Sequence, residues 1–160
     1  MDTTHSHEHT VKTGRIVVGV DGSTEAEAAL RYGAGLATAM NKRLDAVTVW
    51  SYPIAYSPLP PAYNPDEDAR SIARQTAESV FGPEWPAGFD AFEREGNPAR
   101  VLIKESEDAD MVIVGSRGHG GFAGLLLGSV SAQVAEHAHC PVLVYHDPEA
   151  QKAPGDPDVD

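Results

Sequence analysis

Short runs of apolar, β-branched residues alternate along this chain with longer segments of helical spacing, and this alternation constrains the fold more than any other feature. The first run, residues 15–20, reads RIVVGV, and a later one, residues 110–115, reads DMVIVG. Strands that are apolar on both faces are typical of parallel sheets covered by helices, not of antiparallel sheets with one face in water. The sequence therefore predicts an α/β domain, a doubly wound, five-stranded parallel sheet with helices on both faces.

The predicted elements follow one another in the order βαβαβαβαβ. Prolines after Asn64 and Asn97 mark the starts of the second and third helices, because a cap residue followed by proline is typical of a helix start. Thr24 and Glu27 have the spacing of a capping box at the first helix. The third strand alternates apolar and polar residues, so we expect it at a more exposed position in the sheet. The predicted strands are Arg15–Val20, Leu44–Val49, Phe89–Glu95, Asp110–Gly115 and Pro141–Tyr145, and the fourth helix is predicted from Ser129 to Ala138.

Both ends of the chain and one internal segment lack this periodicity. Residues 1–13 are polar and rich in histidine, and residues 148–160 carry Pro, Gly and Asp. Neither end has enough apolar surface to order itself, so we expect a disordered leader, a single domain over residues 14–147 and a disordered acidic tail. Residues 51–62 contain four prolines and predict a surface loop, because proline interrupts helices and strand ladders.

Charge, hydropathy and cysteine content exclude several classes of function. Twelve Lys and Arg against 24 Asp and Glu give a formal net charge of −12, which disfavours nucleic acid as a partner. No apolar run approaches the roughly 20 residues that span a bilayer, and the first residues lack the pattern of a secretory signal. Cys140 is the one cysteine and excludes a disulfide framework. We therefore expect a soluble cytoplasmic protein without a membrane partner.

The segment after the fourth strand is unusually rich in glycine. Residues 115–128 contain six glycines in fourteen positions, more than a packed helix tolerates. Glycine allows backbone N–H groups to converge on an anion, and a helix that begins near Ser129 adds its N-terminal donors. Ligands of doubly wound sheets bind beyond the carboxyl ends of the strands. The segment predicts a nucleotide phosphate site, although a tight surface loop without a ligand remains an alternative.

Other phosphate and catalytic motifs do not account for this segment. A P-loop requires Gly-Lys followed by Ser or Thr, and the chain has no Gly-Lys pair. The nucleophile elbow G-x-S-x-G of serine hydrolases is also absent from the sequence. Arg117 and His119, within the glycine segment, could contact phosphate or point to solvent, and both alternatives stay open. The alternating His5, His7 and His9 favour a leader without function over a metal site.

Gly115, Gly118, Gly128 and Ser129 follow the spacing glycine, two residues, glycine, nine residues, glycine and serine. This spacing resembles the ATP-binding signature of the universal stress protein family. Residues 16–23 and 139–144 also resemble that family, so the resemblance covers nearly all of residues 14–146. It implies a Rossmann-like fold similar to that of the adenine nucleotide alpha hydrolases.

The resemblance also implies a ligand: ATP or another adenine nucleotide, lying across the ends of strands 1, 2 and 4. Asp21 is then the most plausible carboxylate beside an accompanying Mg²⁺, and its alternative role is to cap the first helix. By similarity, Val20 and Asp21 would line the adenosine pocket, Val49 would meet adenine through its backbone, Val114 and Gly115 would approach the ribose, and Gly118, Gly128, Ser129, Val130 and Ser131 would hold the phosphates.

Members of this family commonly pair with a second copy through the last strand. If strand 5 is an edge strand, Val142, Leu143 and Val144 leave an unpaired apolar ladder, and a homodimer would cover it. Our favoured hypothesis is a nucleotide-dependent stress-response regulator with slow or no hydrolysis, because the chain has no P-loop lysine and no clear arginine finger. A dimeric interaction module that needs no nucleotide and a slow ATPase remain alternatives.

Overall fold

The structure is a computed structural model of the chain, and it describes residues 14–53, 63–118 and 126–148. The predicted leader, the acidic tail beyond Pro148 and most of the proline-containing loop lie outside the described residues. Within the described ranges the strands are β1 (Arg15–Gly19), β2 (Arg43–Trp50), β3 (Phe89–Glu95), β4 (Met111–Gly115) and β5 (Val142–Tyr145), and the helices are α1 (Thr24–Met40), α2 (Pro65–Phe81), α3 (Pro98–Glu105) and α4 (Ser129–His137).

The strands form one parallel sheet with the order β3-β2-β1-β4-β5. The chain first moves outward from β1 to β3, then crosses back to β4 on the other side of β1. This confirms the predicted doubly wound fold, and it places β3 at an edge, as its alternating sequence predicted. The carboxyl ends of β1 and β4 lie side by side where the strand order reverses, which is where ligands bind in such sheets.

A layer of helices covers each face of the sheet. The helices α1 and α2 pack on one face, where Ile16 and Leu30 are fully buried. The helices α3 and α4 pack on the other face, where Val17 and Val134 are fully buried. Successive residues of a strand point to opposite faces, so a continuous apolar run supplies both layers. No helix within the described ranges is both long and apolar enough to cross a bilayer.

The helix α1 begins at Thr24, but Ser23 is the residue that caps it. The Ser23 hydroxyl accepts a hydrogen bond from the Ala26 N–H at 3.2 Å, and the Ser23 N–H donates to Asp21 Oδ1 at 3.0 Å. The predicted capping box of Thr24 and Glu27 is therefore wrong by one residue. Its physical reason is that the turn through Asp21 leaves Ser23 with the extended backbone of a cap residue.

The prolines at the starts of α2 and α3 lie at the predicted positions. Asn97 caps α3, since its side-chain oxygen accepts from the Arg100 N–H at 3.1 Å. Asn64 precedes α2 but makes no side-chain cap bond, and its amide donates instead to Glu67 at 3.2 Å. Proline suits the first helical position because its fixed φ is already helical and it has no N–H to leave unpaired.

The amino end of the sheet carries an ion cluster centred on Arg15. Its Nη1 lies 2.9 Å from Asp45 Oδ2, and its Nη2 lies 2.8 Å from Glu105 Oε2 and 2.6 Å from Asp108 Oδ1. Burial of the guanidinium acts to lower the pKa of Arg15, but the hydrogen bonds to the three carboxylates outweigh burial and raise it. The cluster therefore keeps a charged guanidinium at the end of the sheet opposite the predicted site.

Candidate functional site

A cavity of about 460 Å³ lies at the carboxyl ends of β1, β2 and β4. Its volume is within the range typical of small-molecule sites, about 300–1,000 Å³. Four segments of the chain form its walls, namely the turn after β1, the end of β2, the helix α3 and the connection from β4 to α4. The lining residues are Gly19, Val20, Asp21, Ala26, Val47, Val49, Pro98, Leu102, Val114, Gly115, Arg117, Gly118, Gly128, Ser129, Val130 and Ser131.

The residues predicted to bind the nucleotide all lie around this one cavity. They are Val20, Asp21, Val49, Val114, Gly115, Gly118, Gly128, Ser129, Val130 and Ser131. Arg117 also lines the cavity, whereas His119 lies outside the described residues. The structure therefore brings the predicted residues together, while their contact with a ligand stays a prediction.

One side of the cavity is apolar. Val20 follows β1, β2 and β4 contribute Val49 and Val114, and α3 contributes Pro98 and Leu102. The sequence analysis missed Pro98 and Leu102, because their place in the cavity depends on how α3 crosses the sheet. No local motif in the sequence signals that crossing.

The other side of the cavity is formed by the start of α4. Gly128 occupies the cap position, and no side chain caps this helix. The first hydrogen bond of the helix runs from the Ala132 N–H to the Gly128 carbonyl at 2.9 Å. The N–H groups of Ser129 and Val130 precede that bond and have no acceptor within the helix. This end of α4 therefore presents main-chain donors and the positive end of a helix dipole to the cavity.

Some of the hydroxyl and amide groups that the sequence predicted for ligand binding instead form hydrogen bonds within the connection from β4 to α4. The Ser131 hydroxyl donates to the Gly115 carbonyl at 2.5 Å, and the Gly128 N–H donates to the Ser116 carbonyl at 2.7 Å. These bonds join the start of α4 to the end of β4. They leave main-chain groups of Ser129 and Val130, rather than the Ser131 hydroxyl, as the donors best placed for an anion.

Asp21 and Gly118 meet across the mouth of the cavity. A Cβ atom added to Gly118 would lie 2.5 Å from Asp21 Oδ2, closer than real Cβ contacts. A side chain at position 118 would therefore displace the Asp21 carboxylate from this arrangement. Asp21 Oδ1 accepts from the Ser23 N–H, so the side chain also supports the turn into α1.

The sequence analysis missed Glu25, which supports the turn beside the cavity. It lies in the first turn of α1, is 7% exposed, and its Oε2 accepts from the Ser116 hydroxyl at 3.0 Å and from the Arg117 N–H at 2.6 Å. One signal was present in the sequence: Glu25 precedes the small residues Ala29 and Gly33 at steps of four, so the three share one face of α1. Both of those small residues are buried.

Cys140 lies just before β5 and away from the cavity lining, and burial raises the pKa of its thiol. In residues 14–53, 63–118 and 126–148, no group of three His, Cys, Asp or Glu side chains could hold a metal ion. The histidines of the leader, His5, His7 and His9, lie outside those ranges.

Comparison with known proteins identifies the family. The family model of the universal stress proteins matches residues 12–146. The chain belongs to that family. A universal stress protein of Mycobacterium tuberculosis is 39% identical to it over 135 residues, which are 81% of this chain and 44% of the relative. The chain thus spans about half the length of the curated relatives it matches.

Solved universal stress proteins share the fold. One in complex with cAMP superposes with a TM-score of 0.65 at 26% identity and covers 83% of this chain and 97% of that chain. Another, from Archaeoglobus fulgidus in complex with dAMP, has a TM-score of 0.55 at 22% identity and covers 83% of this chain and 98% of that chain. Both the family and the fold class predicted from the sequence are confirmed.

Proposed function

We propose that this universal stress protein binds an adenine nucleotide, ATP in particular, in the cavity at the carboxyl end of the sheet. The observation that carries the proposal is the start of α4, which opens onto a cavity of about 460 Å³ without a side-chain cap. An uncapped helix start offers N–H donors and a positive partial charge, the two features that favour a phosphate group. Gly115 and Gly118 line the same side of the cavity.

The two sides of the cavity suit the two parts of a nucleotide. Val20, Val49 and Leu102 form an apolar wall that suits the adenine ring and the carbon skeleton of the ribose. Ser129 and Val130 suit the phosphates through their main-chain N–H groups. The solved relatives in complex with cAMP and dAMP support this ligand class, since both ligands contain adenine and a sugar phosphate.

Asp21 is suited to hold a Mg²⁺ ion that accompanies the phosphates. It lines the cavity beside Gly118, on the phosphate side. Mg²⁺ in nucleotide sites usually takes one or two carboxylates together with phosphate oxygens, so a single aspartate is a sufficient protein contribution. The cation would also offset the repulsion between the Asp21 carboxylate and the phosphates.

Nucleotide occupancy, rather than rapid turnover, is the proposed signal. Among the described residues that line the cavity, Asp21 and Arg117 are the ionisable ones, and Asp21 already accepts a hydrogen bond from the Ser23 N–H. Phosphoryl transfer depends on several positioned charges, so we expect slow or no hydrolysis. On this proposal the protein is a cytoplasmic regulator of a stress response whose state follows the adenine nucleotide that it holds.

Thermal unfolding with and without nucleotide tests this proposal. ATP with Mg²⁺ at 100 times its Kd should stabilise the protein by about 2.7 kcal/mol, and GTP at the same concentration should have no effect. Phosphate release measured in the same samples should remain far below one turnover per minute. Absence of a shift with any adenine nucleotide contradicts the proposal, and rapid phosphate release that Asp21→Ala abolishes favours an ATPase instead.

The edge position of β5 favours a second role, the pairing of two copies. All four residues of β5 are half-buried, and within the described sheet its hydrogen-bonded neighbour is β4 on one side. Val142, Leu143 and Val144 would be covered if the same strand of a second copy lay against them. Analytical ultracentrifugation should find a dimer, and a monomer at all concentrations contradicts this role. A dimer that forms equally well without nucleotide favours an interaction module.

A further inference from the structure

The buried carboxylate of Glu25 binds the turn after β4 on the side that faces away from the cavity. Glu25 Oε2 accepts two hydrogen bonds, from the Ser116 hydroxyl at 3.0 Å and from the Arg117 N–H at 2.6 Å. These partners lie 91 and 92 residues further along the chain. Glu25 is not among the residues that line the cavity, whereas its neighbour Ala26 is. The carboxylate therefore acts on the turn and does not face the space proposed for the nucleotide.

Ser116 connects this carboxylate to the other parts of the site. It is fully buried; its N–H donates to the Tyr145 carbonyl at 2.8 Å, and its carbonyl accepts from the Gly128 N–H at 2.7 Å. Through Ser116, the first turn of α1 is linked to the end of β5 and to the cap position of α4. Gly128 and Arg117 both line the cavity. A shift of Ser116 would thus move two cavity-lining residues of the phosphate side.

The contact between Glu25 and the turn is also close in space. A Cβ atom at Gly115 would lie 3.3 Å from the Cβ of Glu25 and 3.2 Å from the Arg117 carbonyl oxygen. The turn therefore rests directly on the first turn of α1. Position in that first turn suits a carboxylate, because the helix dipole favours negative charge there. Hydrogen bonds to a charged acceptor are roughly twice as strong as neutral ones, so this single oxygen is an effective anchor.

We propose that Glu25 is a positioning residue that sets the shape of the phosphate-binding turn and thereby the affinity for the phosphate chain. This inference rests on the proposed nucleotide function. Because Glu25 supports the phosphate side and not the apolar wall, its loss weakens binding of ATP while binding of adenosine is preserved. A role in folding alone lowers the stability of the protein and leaves the relative affinities of the two ligands unchanged.

The test measures ATP and adenosine affinities by titration calorimetry, with adenosine measured by displacement where it binds weakly. Glu25→Ala leaves the Ser116 hydroxyl and the Arg117 N–H without their acceptor, and should weaken ATP binding about tenfold and adenosine binding less than about twofold. Glu25→Gln keeps an oxygen that can accept both bonds, so its ATP affinity should stay within about threefold of the wild type. Glu27→Ala is the matched control, because Glu27 lies on the same helix and pairs with Arg31 at the surface.

Each result decides between positioning and its alternatives. Unchanged ATP affinity in Glu25→Ala, or an equal loss for ATP and adenosine, overturns the proposal. If Glu25→Ala does not fold, Ser116→Ala replaces it; this variant removes one of the two bonds and should weaken ATP binding about threefold at constant adenosine affinity. A wild-type protein that binds neither ATP nor adenosine overturns the nucleotide function itself. That result is distinct from a wild type that binds ATP and a Glu25→Ala variant that binds it equally well, which overturns the positioning role alone.

Discussion

The two ends of the parallel sheet are built in opposite ways. At the amino end, Arg15 contacts three carboxylates, one of which, Asp45, is only 2% exposed. At the carboxyl end, small and apolar residues surround a cavity of about 460 Å³, and glycines allow the turn after β4 to approach Asp21 and Glu25 closely. The amino end is filled by long charged side chains, and the carboxyl end keeps its space open.

This difference separates what stabilises the fold from what is available for a ligand. The charges of the Arg15 cluster are paired with one another, so this end of the sheet is held by contacts within the protein. The start of α4 has main-chain donors without an intrahelical acceptor, and an anion can supply one. Substitutions at the amino end should therefore change stability and not nucleotide binding, whereas substitutions at the carboxyl end should do the reverse.

The largest expected change in free energy comes from a substitution at the amino end of the sheet. In Arg15→Ala, the exposed guanidinium of Arg43, 3.6 Å away, is the cation that still pairs with the buried Asp45 carboxylate among the described residues. Breaking a buried ion pair from one side typically costs about 3 kcal/mol, so the free energy of unfolding in urea should fall by about that amount. ATP affinity should change less than about twofold, since Arg15 is remote from the cavity lining.

Arg31→Ala is the control for this prediction. It removes a surface ion pair with Glu27, four residues away on the same helix, and should cost no more than about 0.5 kcal/mol. A loss of ATP affinity in Arg15→Ala at temperatures where the variant is folded would contradict the separation between the two ends.

The second largest effect is expected from Gly118→Val at the carboxyl end. The new side chain occupies the position of the Asp21 carboxylate, which would lie 2.5 Å from its Cβ, and it projects toward the cavity mouth. Calorimetry should find ATP binding weakened about 100-fold, which corresponds to about 2.7 kcal/mol. The urea unfolding free energy should change much less, because loop positions at the surface tolerate substitution.

Gly35→Ala is the matched control, because a Cβ atom there meets nothing within 4 Å. Gly35 lies inside α1, where alanine is favoured over glycine by about 0.5–1 kcal/mol, so this variant should be slightly more stable and bind ATP normally. Wild-type ATP affinity in Gly118→Val would show that the close approach of Gly118 to Asp21 is not needed for binding.

The smallest effect concerns the pH dependence of the amino end. The hydrogen bond from Arg15 lowers the pKa of Asp108 below its ordinary value of 3.8. A carboxyl with a lowered folded-state pKa stabilises the protein above the unfolded pKa and loses this contribution as pH falls through the folded one. Unfolding free energy should therefore decline as pH is lowered below about 4, and only slightly through Asp108, whose side chain is mostly exposed.

Asp108→Asn isolates this contribution. The variant should lose part of the decline below about pH 4 while keeping the wild-type stability to within about 0.5 kcal/mol at neutral pH. An identical pH profile in Asp108→Asn would show that other carboxylates of the protein account for the acid sensitivity.

Much of the fold followed from local patterns. Residues such as Ile16 and Val17 are apolar on successive positions, and this predicts a strand buried on both faces, which the structure confirms. The prolines at 65 and 98 marked helix starts because proline fits only the first turn without loss of a hydrogen bond. The first helix cap was misplaced by one residue, since Ser23 and Thr24 are both residue types that cap helices and the turn made by Asp21 decides between them.

The glycine spacing identified the site region, but it did not identify every wall of the cavity. Leu102 and Pro98 reach the cavity from α3, and no local motif signals how that helix crosses the sheet. Glu25 and Glu27 look alike as acidic residues in a first helical turn. One is buried behind the site and the other pairs with Arg31 at the surface.

The sequence by itself determined the alternation of strands and helices and the family, and it predicted the glycine segment as the place where the backbone would approach a ligand. These properties depend on residue type and short spacing, which act through local conformation and burial. Only the tertiary structure decided that Glu25 anchors Ser116 and Arg117 and that α3 completes the apolar wall. The Glu25 contacts join residues 91 and 92 positions apart, and the geometry of both features exists only after the sheet has brought the strand ends together.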